Sequence, residues 1–329
     1  MARTTRTMII EEHAERINTL DQVLEKLKDF PRKRVAVAVA EDVASLEAVR
    51  DAQVQDVADY VLVGDRDIIL RQAAKIDWEP DTAGMLDVAR PLDAAREAVR
   101  LVHEGDCDIL MKGYIHTDDF LRAVLDREIG LRTKAVMSHV FIWEATQYGR
   151  LIFITDAAMN IAPDLVTKSD IILNAVHLAG MFGVMRPKVA VLAAVEILNP
   201  KMPATIDAAS LLAMCNRRQF SVSCTIDGPF ALDNALSPHA AKVKKITGPV
   251  AGQADILVCP DIESGNMLAK SFVYLAGGRM AGVLVGARVP VVLTSRSDSA
   301  DAKLYSIASA VLMSGFERDL ELKIGKVHF

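Results

Sequence analysis

Short apolar runs alternate with longer stretches of helical patterning along most of the chain, and this alternation restricts the fold more than any other feature. Predicted strands occupy residues 34–40, 59–64, 108–113, 150–155, 188–195, 221–226, 255–259, 282–285 and 289–294. Helical patterns lie at 17–27 and between the strands, most clearly at 163–182, 206–217, 264–276 and 298–313. Parallel strands need a crossover helix, so this order predicts an α/β fold with mainly parallel sheets and flanking helices.

Length and charge exclude several classes of protein. A chain of 329 residues exceeds the usual size of one hydrophobic core, so two domains are expected. The formal net charge of −5 argues against a nucleic-acid partner, because a nucleic-acid-binding face needs a surplus of basic residues. The longest uncharged stretch, residues 171–185, is shorter than the roughly 20 apolar residues of a membrane span.

The cysteines and the first residues bear on location. The four cysteines show no CxxC spacing, which indicates reduced thiols, and the N-terminus lacks the apolar segment of a secretory signal. We therefore expect a cytoplasmic protein with no membrane partner. The His, Cys and acidic residues show no metal-ligand spacing, so no metal site is predicted, and His139 and His177 are expected to be ordinary core or surface histidines.

The GxGxxG, GxxxxGK[ST], HExxH and GxSxG motifs are missing from the sequence. P-loop kinases, standard dinucleotide enzymes and elbow-type serine hydrolases are therefore disfavoured. In open α/β sheets, ligands bind beyond the carboxyl ends of the strands. Four polar clusters follow predicted strands directly, and they are the candidate sites.

The first two clusters follow the strands at 108–113 and 150–155. In the first, Lys112 precedes a glycine turn, Thr117 is predicted to cap a helix, and Arg122 lies on that helix, where it either holds an anion or faces solvent. In the second, Asp156 and Asn160 either orient a substrate or simply form a turn.

The last two clusters carry the stronger signals. Gly265 and Asn266 are predicted to lie in a small loop that approaches a phosphate before the next helix begins, with Lys270 one turn further on. The Ser295 hydroxyl can stabilise an oxyanion by a hydrogen bond. The guanidinium group of Arg296 can donate two parallel hydrogen bonds to a phosphate. The competing interpretation is a plain helix cap in both places, and Asp298 or Ser299 is expected to cap the last helix.

The order and spacing of these clusters resemble the phosphate acetyltransferase and phosphate butyryltransferase family from about residue 35 to 313. The length and the run ITDAAMNIAPDL resemble the butyryl branch more closely. The matching runs are ILMKGYIHTDDFLRAVL, SHVF, ITDAAMNIAPDL, PKVAVLAAVE, DAASLL, DGPFALDNALS, ADILVCPDIESGNMLAK and VVLTSRSDSADAKLYSIASA.

The resemblance implies a two-domain architecture like that of isocitrate-type dehydrogenases, with the active site in the interdomain cleft. Domain I would comprise residues 1–134 plus 289–329 and carry the Ser-Arg loop. Domain II would comprise residues 135–288 and carry the Gly-Asn loop and the contact of a homodimer. The clusters would then meet in the cleft.

The implied reaction is acyl-CoA + phosphate ⇌ acyl phosphate + CoA, with a short acyl group, butyryl or acetyl, and attack by the CoA thiolate in a ternary complex. Coenzyme A and phosphate would be substrates, and no permanently bound cofactor is implied. Ser295 would stabilise the carbonyl oxygen, Arg296 would hold the phosphoryl group, and Asp301 is a candidate base. The implied substrate-binding residues are Lys112, Thr117, Arg122, Ser138, Asp156, Asn160, Gly265, Asn266 and Lys270.

One position departs from the family pattern. Two adjacent acids are expected after the Ser-Arg pair, and here Asp301 is followed by Ala302. The base is therefore open between Asp301, Asp298 and water. Two alternatives to the transferase are a metal- and NAD-dependent hydroxyacid dehydrogenase of the same fold, and a non-catalytic protein that binds CoA or acyl phosphate.

Overall fold

The computed structural model describes residues 15–316 and Val327. The strands are β1 (Lys33–Ala38), β2 (Ala58–Gly64), β3 (Met85–Asp87), β4 (Ile109–Lys112), β5 (Ser138–Ala145), β6 (Arg150–Thr155), β7 (Lys188–Leu192), β8 (Thr225–Phe230), β9 (Ile256–Val258), β10 (Met280–Val285) and β11 (Val291–Val292). The α-helices are α1 (Leu20–Leu27), α2 (Val43–Val54), α3 (Arg66–Ala73), α4 (Pro91–Glu104), α5 (Thr117–Val124), α6 (Leu165–Met181), α7 (Pro203–Asn216), α8 (Leu232–Leu236), α9 (Pro238–Val243), α10 (Ile262–Tyr274) and α11 (Ala300–Phe316).

The strands form one continuous sheet in the order β3-β2-β1-β4-β11-β10-β5-β6-β9-β7-β8. The pairs β11–β10, β10–β5 and β5–β6 are antiparallel, and the other neighbouring pairs are parallel. The predicted α/β fold with a mainly parallel sheet is confirmed. Within the described part of the chain, no helix is both long and apolar enough to cross a bilayer.

Three strands differ from the sequence prediction, of which the three-residue β3 was not predicted at all. Strand β5 was not predicted, because its sequence mixes Ser138, His139 and Glu144 with apolar residues, yet these polar side chains are buried with the rest of the strand. Strand β8 lies four residues later than predicted, at Thr225–Phe230 instead of 221–226. It contains Gly228 and Pro229, which disfavour a central strand but are tolerated at the edge of a sheet, where β8 lies.

Helices cover both faces of the sheet. In β1, Val35 and Val37 face one hydrophobic cluster while Ala36 and Ala38 face another, as the two-residue period of a strand requires. Helix α11 is buried along its length from Lys303 to Met313, and it packs against α2, α1 and β10. It is therefore the central helix of the larger cluster, and its first turn is fixed in place.

The three antiparallel pairs reverse the direction of the sheet. Strands β6 and β9 consequently run opposite to β4 and β11. The register nevertheless brings the ends of all four strands onto one row, because Met111, Val292, Val283, Val140, Thr155 and Val258 are successive cross-strand partners. The four polar clusters thus emerge from the same row of the sheet, two from each direction.

Candidate active site

The Ser-Arg loop leaves the sheet after β11 and leads into α11. The backbone N–H of Ser295 donates to Asp298 Oδ2 at 2.7 Å, and the hydroxyls of Ser295 and Ser297 lie 3.0 Å apart. Ser299 Oγ accepts from the N–H of Ala302 at 3.2 Å, so the predicted cap of the last helix is confirmed for Ser299. This loop presents the half-buried Ser295 hydroxyl beside an exposed arginine.

Two buried lysines lie behind this loop. Lys112 Nζ donates to Thr294 O at 3.3 Å, and Lys303 Nζ donates to Ser295 O at 2.9 Å and to Asp298 O at 3.2 Å. Burial, reinforced by the charge of Lys303, lowers the pKa of Lys112 to about 8. Burial also lowers the pKa of Lys303. Lys112 therefore contacts the loop from inside the protein instead of from the open cleft.

Helix α10 faces the Ser-Arg loop. It begins at Ile262, because the Asp261 carboxylate caps it by accepting from the N–H of Ser264 at 2.8 Å. The prediction of a loop at residues 264–266 is therefore wrong: Gly265 and Asn266 lie in the first turns of the helix. A Cβ on Gly265 would lie 2.3 Å from Asp156 O, and Asn266 Nδ2 donates to Ala157 O at 3.1 Å. These two residues fix α10 against the segment that follows β6.

A cavity of ≈ 240 Å³ lies between α10 and the Ser-Arg loop. Four of the predicted site residues line it: Thr117, Asn266, Lys270 and Ser295. Its apolar wall comprises Phe141, Ala158, Val273, Met280 and Leu293. The cavity thus combines hydroxyl, amide and ammonium groups with an apolar side.

Asp156, Asn160 and Ser138 do not line this cavity. The Asp156 carboxylate accepts from the backbone N–H groups of Ala158, Met159 and Asn160 at 3.0–3.1 Å, which corresponds to the turn-forming alternative. Asn160 Nδ2 donates to Met137 O at 2.9 Å, so its side chain also braces the turn. Ser138 lies on the other face of β5, where its hydroxyl accepts from Asn174 Nδ2 at 2.9 Å.

The next residue of β5, His139, was expected to be an ordinary histidine, and the structure adds a feature that its sequence environment does not reveal. It is fully buried beside the cavity, and its Nε2 lies 2.9 Å from Leu293 O. A carbonyl oxygen only accepts, so Nε2 carries the proton. Nδ1 has no partner among the described residues, and burial lowers the pKa of the ring. Successive side chains of a strand point to opposite faces, so the pattern of β5 was the signal that could have placed His139, and not Ser138, on the face of the cavity.

Thr117 lines the cavity, whereas Arg296 and Arg122 are not among its lining residues. Arg296 is exposed, 5.7 Å from the ring of Tyr114 and 3.4 Å from His116 Nδ1. Arg122 is exposed and pairs with Asp119 at 3.1 Å. The prediction that Thr117 caps α5 is wrong, because His116 occupies the cap position and Thr117 is the first residue of the helix.

The two candidate acids occupy different positions. Asp298 lines the cavity beside Ser295, and one of its oxygens is held by the Ser295 N–H. Asp301 is exposed and lines an adjoining cavity of ≈ 220 Å³ together with Tyr274 and Arg279. Among the described residues, no group of three or more His, Cys, Asp and Glu side chains has the geometry of a metal site.

A cavity with ammonium and hydroxyl groups beside an apolar wall can accommodate an anionic substrate that also carries an apolar group. Residues 89–311 match the sequence pattern of the family described as "Phosphate acetyl/butaryl transferase". The chain belongs to this family, and it is a phosphate acyltransferase.

Individual proteins agree with this assignment. The chain is 47% identical to the phosphate butyryltransferase of Clostridium acetobutylicum over 91% of its own length and 99% of that protein. The crystal structure of a branched-chain phosphotransacylase from Enterococcus faecalis V583 has a TM-score of 0.74 and 35% identity, over 86% of this chain and 99% of the other. A 4-hydroxythreonine-4-phosphate dehydrogenase from Klebsiella pneumoniae has a TM-score of 0.51 at 14% identity, over 86% and 99%, and shares the fold alone.

Proposed function

We propose that the chain transfers a short acyl group, butyryl or acetyl, between coenzyme A and phosphate at the cavity beside Ser295. The observation that carries this proposal is the position of the Ser295 hydroxyl, which lies on the cavity wall opposite Asn266 and Lys270 of α10. In the CoA-acylating direction, the thiolate of CoA attacks the carbonyl carbon of the acyl phosphate, and phosphate leaves with the electron pair of the broken C–O bond.

Ser295 is proposed to donate its hydroxyl hydrogen to the carbonyl oxygen as that oxygen gains negative charge. Lys270 and Arg296 are proposed to bind the phosphoryl group, with Arg296 swinging inward from its contact with Tyr114. Arg122, which is exposed on α5 and paired with Asp119, is proposed to bind an anionic part of CoA. Gly265, Asn266, Asp156 and Asn160 would act on substrate mainly by fixing the start of α10 and the turn beneath it.

The apolar wall supports a butyryl-sized acyl group over an acetyl group. Phe141, Val273 and Met280 lie on the same cavity as Ser295, so the acyl chain of a substrate bound at Ser295 can be buried against them. Each buried methylene contributes about 0.8 kcal/mol. An acetyl group would leave much of this wall without a contact.

The architecture supports two further proposals. The strands of residues 1–134 and 289–329 are contiguous on one side of the β11–β10 boundary and those of residues 135–288 on the other, which favours two lobes divided there. A homodimer through the second lobe is favoured by its exposed apolar side chains, among them Ile161, Ile197 and Leu198. We also propose a cytoplasmic location, supported by the four free cysteines, and a reaction without a permanently bound cofactor.

The test is phosphate-dependent release of CoA from acetyl-, propionyl-, butyryl- and isobutyryl-CoA, followed with a thiol reagent, with and without EDTA. The expected result is release that requires phosphate, resists EDTA and is fastest with the four-carbon chains. Release without phosphate, or none with any chain, would overturn the proposal. Neither alternative function is favoured, since the dehydrogenase likeness is one of fold alone.

A further inference from the structure

Lys303 holds the Ser-Arg loop from the first turn of α11. Its side chain is 1% exposed, and helical side chains point back toward the N-terminus of their helix, which here is the loop itself. Lys303 Nζ donates to the carbonyls of Ser295 and Asp298 at 2.9 and 3.2 Å. One ammonium group is thereby bonded to both ends of the turn from Ser295 to Asp298.

Lys112 is a second buried lysine that bonds to a backbone carbonyl of the same segment, but it comes from β4 instead of α11. It is 2% exposed, ends β4, and donates to the carbonyl of Thr294 at 3.3 Å. Within the part of the chain that the structure describes, neither lysine makes an ion pair with a carboxylate. Burying a charge without a counter-charge is costly, so two such groups behind one loop indicate that an anion completes the site.

The charged groups that face the two lysines are few. Asp42, the cap of α2, and Asp298 act on both lysines, while Lys303 and Arg296 act on Lys112. The two lysines and Arg296 are therefore balanced by only two of these carboxylates. One of the two, Asp298, already accepts a hydrogen bond from the Ser295 N–H. The net charge of this group of side chains is positive, and it lies at the loop where phosphate and the thiolate would meet.

We propose that Lys303 is a positioning residue for the transfer, and that it and Lys112 stabilise the CoA thiolate by their charge, in place of a carboxylate base. This inference rests on the proposed function. The thiol proton passes to solvent, the sulfur lone pair forms the new C–S bond, and the C–O bond to phosphate breaks. The reaction would then not need the acid that the family pattern predicts at the position of Ala302.

The first test uses the unaltered enzyme. Binding of CoA is measured by titration calorimetry near pH 7 in buffers of different ionisation enthalpy, with desulfo-CoA as the matched control. The expected result is net release of a fraction of a proton with CoA and none with desulfo-CoA. Equal proton release for both ligands would overturn the proposal, because a base inside the protein would keep the proton in the complex.

The second test compares pH–rate profiles of Lys303→Met and Lys303→Arg in the CoA-acylating direction. Loss of a nearby positive charge should move the acidic limb of the profile upward by about one pH unit in Lys303→Met, and Lys303→Arg should restore it. A lower rate with an unmoved limb would mean that Lys303 only supports the fold. An inactive parent enzyme would instead contradict the proposed function.

Discussion

The backbone N–H of Ser295 and the carboxylate of Asp298 are joined by a hydrogen bond of 2.7 Å, which closes the Ser-Arg loop on itself. The bond makes Asp298 a structural part of the loop as well as its nearest acid. To hold the loop, the side chain at position 298 only needs to accept the hydrogen bond from the Ser295 N–H. To act as a general base, it must also take up a proton from the substrate. The two roles can be separated by substitution.

Asp298→Asn keeps an accepting oxygen and removes the negative charge, whereas Asp298→Ala removes both. We expect Asp298→Ala to lower kcat about 10- to 100-fold, the size typical of losing a hydrogen bond to a charged group. Asp298→Asn should retain most of the activity. The measurement is kcat with saturating acyl-CoA and phosphate, and equal loss in both variants would instead identify Asp298 as the base.

Ser295→Ala and Arg296→Ala should each lower kcat on the order of 100- to 1000-fold without changing the thermal midpoint appreciably, because neither side chain is buried. Ser210→Ala is a matched control, since that serine is half-buried like Ser295 and donates to the carbonyl of Ile206 within its own helix. Rates near those of the parent in both loop variants would remove this loop from the reaction while leaving the family assignment intact.

The sequence predicted the fold class and the two segments that line the cavity, the Ser-Arg loop and the residues after β9, because apolar runs and the residues after them are local signals. It did not predict that the second segment is already helical. It did not predict β5, whose polar residues are satisfied only by distant partners: Asn174 for Ser138, Leu293 for His139 and Arg279 for Glu144. Partners that lie far along the chain leave no periodicity in the sequence.

Among the predicted site residues that do not line the cavity, Ser138 and Asp156 show why a local signal is not enough. Ser138 precedes His139, which lines the cavity, and in a strand one residue reverses the face. Asp156 follows β6 as expected, but its oxygens are used by the turn that it begins. Lys303 was not singled out, because a lysine in a helical stretch is ordinarily solvent-exposed and its burial depends on how α11 packs.

Gly265 is required where α10 approaches the segment after β6. In Gly265→Ala, the new Cβ would lie 2.3 Å from Asp156 O, so α10 must shift, and we expect the free energy of unfolding to fall by about 1–3 kcal/mol with a large loss of activity. Gly180→Ala in α6 is the control, because nothing beyond the neighbouring residues and backbone of its own helix lies within 4 Å of its Cβ position. It should be neutral or stabilising by up to about 1 kcal/mol. Denaturant unfolding measures both, and equal stability of the two variants would contradict the close approach.

The apolar wall predicts that Val273→Phe narrows the acyl pocket from the α10 side. Butyryl transfer should fall about 10- to 200-fold relative to acetyl transfer, the range by which one methylene is discriminated in an apolar pocket. The measurement is the ratio of kcat/KM for the two acyl-CoA substrates. A ratio unchanged from the parent would mean that the chain is bound elsewhere.

Because the pKa of Lys112 is lowered by folding, we expect the free energy of unfolding to increase with pH. Its pKa is lowered from 10.5 to about 8, so between these values the unfolded chain binds a proton that the folded chain does not. The free energy of unfolding should therefore rise across this window, and the cost of the buried ammonium should be fully present below pH 8. Lys112→Met should remove that cost and raise the free energy of unfolding at pH 7 by about 3 kcal/mol, while lowering kcat. Urea unfolding at pH 7 and pH 10 measures both effects. If Lys112→Met is less stable than the parent at pH 7, the bonds from Lys112 to the carbonyls of Gly113 and Thr294 outweigh its desolvation, and the ammonium supports the fold as well as the site.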